Sequence, residues 1–130
     1  AIVPPDLARL VDEGFETMDG CVVFRRLAKR MSTTKSSDFP DRTGRECFVN
    51  HLHVEDYTTA KDALELAATG FAFAKRLEEA LRSRGEHFII IVSSDAESCS
   101  VRFHKARDGE SWLADDLDGY GDEALLVLEV

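Results

Sequence analysis

The sequence predicts an α+β domain: a mixed sheet of about four strands with one long helix packed on one face, in β-α-β-β-β order after a short N-terminal helix. Three observations predict it. Apolar residues recur at three- and four-residue steps from Ala60 to Leu81, the mark of an amphipathic helix. The run HFIIIV is strand-sized and apolar on both parities, as in a strand covered on both faces. The stretch CSVRFHKAR alternates, with Val101 and Phe103 opposite Arg102 and His104, and ALLVLEV closes the chain as a further strand.

Taken in order, Pro4 and Pro5 open a short helix, for which Leu7, Leu10 and Val11 supply a one-sided stripe. Gly14 and Gly20 punctuate the chain. CVVFRRLAKRM fits two templates: Val22 and Val23 favour a strand, whereas Val23, Leu27 and Met31 have helical spacing. Residues 32–45 carry turn formers and a proline and read as a flexible loop within a single domain spanning 1–130. Residues 47–54 read as a strand, with Phe48, Asn50, Leu52 and Val54 on one face and Cys47, Val49, His51 and His53 on the other. A buried Asn50 amide would need hydrogen-bond partners. Thr59 and Asp62 fit a capping box loosely, and a helix is expected over most of 59–84, with Ala60, Leu64, Ala67, Phe71, Ala74, Leu77 and Leu81 facing the sheet and Gly85 as its stop. The other strands are expected at 48–53, 88–93, 100–106 and 124–129. The crossover through the long helix should join parallel strands.

Charge narrows the function. The formal net charge is −9, which argues against general nucleic-acid binding and against an anionic membrane surface. No apolar run approaches the roughly 20 residues that span a bilayer. Cys21, Cys47 and Cys99 are odd in number and have no zinc-ribbon spacing, so a reducing compartment, the cytoplasm, is expected, with the thiols as small hydrophobes. There is no nucleophile elbow and no Gly-rich phosphate loop.

Two constellations could carry function. Residues 108–123 hold seven carboxylates and no Lys or Arg, with Trp112, the only tryptophan, and Tyr120 among them. Trp112 and Tyr120 would anchor a basic protein partner, and Asp115, Asp116 and Asp118 would pair with its Arg or Lys. The second constellation is His51 and His53, two imidazoles on one strand face, with His104 or Glu129 as a third zinc ligand; it would make the chain a small metal-dependent enzyme or a ligand-binding domain. On the first reading no cofactor is needed; on the second it is zinc. A third reading is a homo-oligomer in which the basic stretch 25–45 meets the acidic end of another copy. In size, compact α+β make-up and its acidic, aromatic-bearing segment, the chain resembles small acidic inhibitors such as the immunity proteins that neutralise cationic bacterial toxins. That resemblance implies binding without catalysis. It rests on no defined motif and assigns no residues.

Overall fold

The computed structural model describes residues 3–60, 62–112 and 124–130. Helix α1 (Pro5–Asp12) starts on its proline and buries Leu7, Leu10 and Val11 as expected. A hairpin follows, β1 (Phe15–Met18) with β2 (Cys21–Phe24). Its two turn residues, Asp19 and Gly20, both have positive φ, 50° and 78°. That is the twist a two-residue hairpin demands, and Asp-Gly supplies it at little cost. The ambiguous stretch therefore divides. Its start is a strand buried on both faces, Arg25–Leu27 form a 3-10 turn, and α2 (Lys29–Ser32) is a single turn of helix.

The expected strand at 47–54 is largely helix. Asp41 Oδ1 accepts the Gly44 N–H at 2.8 Å and caps α3 (Arg42–Val49), so residues 42–45 of the expected loop are its first turn. Thr43, Glu46, Cys47 and Asn50 are buried at helical spacing, whereas Phe48 is 48% exposed. Only Leu52–His53 remain as strand β3. A cap within reach outweighed an alternation that was compatible with either period.

Helix α4 (Ala63–Arg82) is capped by Asp62, whose Oδ1 accepts from the Leu64 and Glu65 N–H groups. The predicted helix is present, but its buried face is turned. Leu66, Phe73, Ala74, Leu77 and Leu81 are buried, while Leu64 is 79% and Phe71 46% exposed. Gly70 explains the choice. A Cβ at that position would lie 2.5 Å from Cys99 Sγ, so the helix meets the strands closely only with its glycine face. Residues 66, 70, 73, 77 and 81 follow from that contact; 64, 67 and 71 do not.

The four-stranded sheet has order β3-β5-β4-β6, with β4 (Phe88–Ser94), β5 (Cys99–Lys105) and β6 (Ala124–Glu129). Each hydrogen-bonded pair is antiparallel. β3 and β4, joined through α4, do run in the same direction, but β5 lies between them. One sheet face packs on α4 through Ile90, Val92, Val101 and Phe103, with the Phe24 ring edge-on to Phe103 at 5.0 Å.

Two side chains, Glu46 of α3 and Asn50 at its C-terminal cap, join the hairpin to this sheet. The bond from Arg25 N–H to Gly14 C=O sets the hairpin phase, leaving Val22 and Phe24 with backbone groups turned away from β1. The bond from Ala106 N–H to His87 C=O likewise leaves residues 103 and 105 turned away from β4. Glu46 and Asn50 fill the space between these two open edges. Glu46, fully buried, accepts from the N–H groups of Val22 and Lys105, each at 2.5 Å. Asn50 accepts from Phe24 N–H at 3.0 Å and donates to the carbonyls of Val22 at 2.9 Å and Phe103 at 3.3 Å. Four helical residues rise about 6 Å, and two strand residues rise about 6.6 Å, so side chains four apart on a helix can serve backbone groups two apart on a strand.

Candidate partner-binding face

The start of the acidic segment is held by the same helix. Arg107 donates to both Glu46 carboxylate oxygens, at 2.9 and 3.1 Å, to Thr43 Oγ1 and to the Gly20 carbonyl. Glu110 accepts the Thr43 N–H at 3.2 Å near the N-terminus of α3, and the Thr43 side chain, then that backbone bond and the charges of Arg107 and Arg42, hold its carboxyl below the usual range. These bonds carry the chain onto the sheet face opposite α4. There Trp112 is 41% exposed, and the Arg102 guanidinium lies 4.7 Å from its ring centre. That distance is a cation–π contact. Of the residues expected to meet a partner, Trp112 is thus on the surface. Asp115, Asp116, Asp118 and Tyr120 lie outside the described residues.

Cross-strand register sets the rest of this face. Ile89 pairs with His104 and Glu129, and Ile91 with Arg102 and Val127. Ile91 and His104 are buried, Ile89 is half-buried, and Val127 is exposed. Together with residues 106, 107, 110 and 111 they line a half-open groove of about 280 Å³. Sequence reasoning missed it, although the apolar residues on both parities of β4 were its signal.

The two histidines at 51 and 53 do come together, with ring centres 4.7 Å apart. His53 Nδ1 is 3.7 Å from Glu55. His51 Nε2 lies 3.1 Å from an Arg102 nitrogen and accepts from it, since the guanidinium only donates. Burial, then the charges of Arg102, His53 and Arg30, push the His51 pKa down to about 4. The lone pair a metal would need is thus turned to a cation. His104 does not join the pair. His53 pairs with Ser100, and His104 lies four residues further along β5, about 13 Å by strand rise. Among the described residues, no group of three His, Cys, Asp or Glu could hold a metal ion.

The remaining chemistry is muted. All three cysteines are free and buried; burial raises the Cys21 thiol, pushes Cys47 up to about 12 and Cys99 up to about 11. Such thiols are poor nucleophiles at neutral pH. Much of the basic stretch is engaged inside the molecule. Arg26 pairs with Glu13, Arg25 lies 3.9 Å from Glu16, Arg30 donates to the carbonyls of Val49 and His51, and Arg45 is buried against Met31 and Thr34. A separate cleft of about 470 Å³ between the hairpin tip and α3 balances Arg42 and Arg45 against Asp19 and Asp41. No helix among the described residues is long and apolar enough to cross a membrane.

Fold and site together define an acidic α+β domain in which strands β4 to β6 and residues 106–111 border a half-open groove. By sequence the chain belongs to the Uncharacterized protein PM0498 family, whose model matches residues 1–130. A similar protein, "Uncharacterized protein PM0498" of Pasteurella multocida (strain Pm70), is 27% identical over 119 residues, covering 85% of this chain and 74% of that protein. No solved structure matches.

Proposed function

We propose that this chain is a non-enzymatic protein-binding domain that takes a basic protein partner, in the manner of an immunity-type inhibitor of a cationic toxin. The observation that carries the reading is Trp112. A large ring, 41% exposed and packed beneath Arg102, stands within a segment of seven carboxylates. An exposed ring already fixed by a neighbour loses little freedom on binding, and aromatic anchors dominate interface energetics. The field of the segment would steer a cation and weaken with salt, because the Debye length is about 8 Å at 0.15 M. The unpaired thiols fit a reducing compartment such as the cytoplasm.

The test begins with capture of the partner from the native host. Asp115→Lys combined with Asp116→Lys should slow association and flatten its salt dependence. Trp112→Ala should mainly speed dissociation. Unaltered binding by a folded charge-reversed double variant would overturn the reading. The alternative, a metal-dependent enzyme or ligand-binding domain on His51 and His53, is favoured only by the closeness of the two rings. Elemental analysis of the purified chain decides it: near-stoichiometric zinc, lost on replacing either histidine, would support it.

A further inference from the structure

We propose that the groove between β4, β6 and residues 106–111 is an anchor pocket for one lysine or arginine side chain of the partner; this rests on the binding reading above. The floor is apolar, formed by Ile89, Ile91 and Val127. Three of the polar side chains that line it, His104, Glu110 and Glu129, bring acceptors. His104 is 4% exposed, and its Nδ1 lies 2.7 Å from the Lys105 carbonyl. Nδ1 therefore carries the proton, and Nε2 is left as an acceptor with no partner among the described residues. Glu110, though held by Thr43 through Oε1, brings its negative charge to the rim. Glu129, on the exposed side of β6, adds a second carboxylate. The one cation on the wall among the described residues, Arg107, donates to Glu46, Thr43, Lys105 and Gly20.

An occupant must therefore bring donors and positive charge on an apolar stem. A neutral apolar group would cover the His104 acceptor and the Glu129 carboxylate without offering either a donor. An anion would face both glutamates. Lys and Arg have the required form: a methylene stem that lies on apolar surface and a cationic head. The volume, about 280 Å³, is several times the roughly 30 Å³ share of a water molecule. It suits one long side chain rather than a folded element.

The probe is n-butylguanidinium, titrated into the full chain at constant ionic strength, with n-pentanol and pentanoate as neutral and anionic counterparts. Methyl and imidazole NMR signals are followed. Butylguanidinium should give saturable shifts at Ile89, Ile91, Val127 and His104. Glu129→Gln should raise its dissociation constant about three- to fivefold, the size of an exposed ion pair. Pentanol should bind more weakly and pentanoate not at all. Equal binding of pentanol and butylguanidinium, preference for pentanoate, or no saturable shift at these residues would each overturn the proposal. The titration needs no partner, so the two readings fail separately. A groove that takes the cation while the Trp112 and Asp115/Asp116 variants bind a captured partner normally would sink only the proposed surface. The converse would sink only the pocket.

Discussion

Replacing Asn50 by alanine removes three hydrogen bonds from a place that water does not reach. The amide is fully buried, and Val22, Phe24 and Phe103 around it are 0–1% exposed. Phe24 N–H loses its acceptor, and the carbonyls of Val22 and Phe103 each lose a donor. An orphaned buried donor costs about 1–3 kcal/mol, and under-satisfied carbonyls cost less each. With the small cavity left behind, the sum is about 3–5 kcal/mol, a large share of the roughly 5–15 kcal/mol that holds a domain together. Urea denaturation followed by circular dichroism measures it as a lower midpoint at unchanged slope. Asn50→Asp sharpens the test. It keeps the shape and can still accept from Phe24 N–H, but at neutral pH it turns a carboxylate toward two carbonyls. It should cost at least as much as alanine. A loss under about 1 kcal/mol for Asn50→Ala, or a neutral Asn50→Asp, would refute the claim that this side chain joins the hairpin to the sheet.

Three further outcomes follow from the same packing. Leu77→Ala should cost about 2–5 kcal/mol, because Leu77 is 0% exposed, whereas Glu79→Ala, on the exposed face, should stay within about 0.5 kcal/mol; equal costs in chemical denaturation would mean the helix face is misassigned. Gly70→Ala should destabilise by about 1–3 kcal/mol despite the roughly 1 kcal/mol that alanine gains in helix propensity, since its Cβ would sit 2.5 Å from Cys99 Sγ. Adding Cys99→Ala should recover part of that loss, and strict additivity in the double variant would rule out the clash. His51 should titrate near 4 by NMR, and Arg102→Gln should raise that value part of the way toward 6.5, burial being the larger cause. An unfolded chain takes up this proton near 6.5 and the folded one near 4, so the stability contributed by neutral His51 is present above 6.5 and is lost as pH falls from 6.5 toward 4.

What the sequence disclosed follows from length and period. Helix α4 and strands β4 to β6 are long enough for their periodicity to speak, and each lies close to its expected position. Helix α3 has eight residues, fewer than three turns, and its apolar positions satisfy both periods. Glu46 and Asn50 were opaque for another reason. They face inward although polar, and their partners are backbone groups 24 to 59 positions away. The β1–β2 hairpin was missed, although Asp19-Gly20 flanked by apolar residues was its signal. On the functional side, composition alone exposed Trp112. The groove could not be read from the chain, because it needs the register that sets Ile91 beside Val127, 36 positions later.

That register also explains why the sheet has two unlike faces. Toward α4, residues 90, 92, 101 and 103 meet the helix and the ring of Phe24, and the surface is closed. On the other face, residues 89, 91, 104 and 127 are apolar or neutral enough to pack, yet the described chain lays over them only the stretch leading to Trp112. Arg107 fixes that stretch through Glu46, a carboxylate with no exposure at all. Losing either partner would strand a buried charge, which typically costs about 3–5 kcal/mol, so the anchor opens rarely. For the proposed binding, a segment rooted in a buried ion pair would present Trp112 with less ordering cost than a free loop would. The same carboxylate that accepts from Val22 and Lys105 thus also positions Trp112 and the groove wall. Fold stability and the proposed recognition surface share one residue, which is why a polar side chain stands at the fully buried position 46.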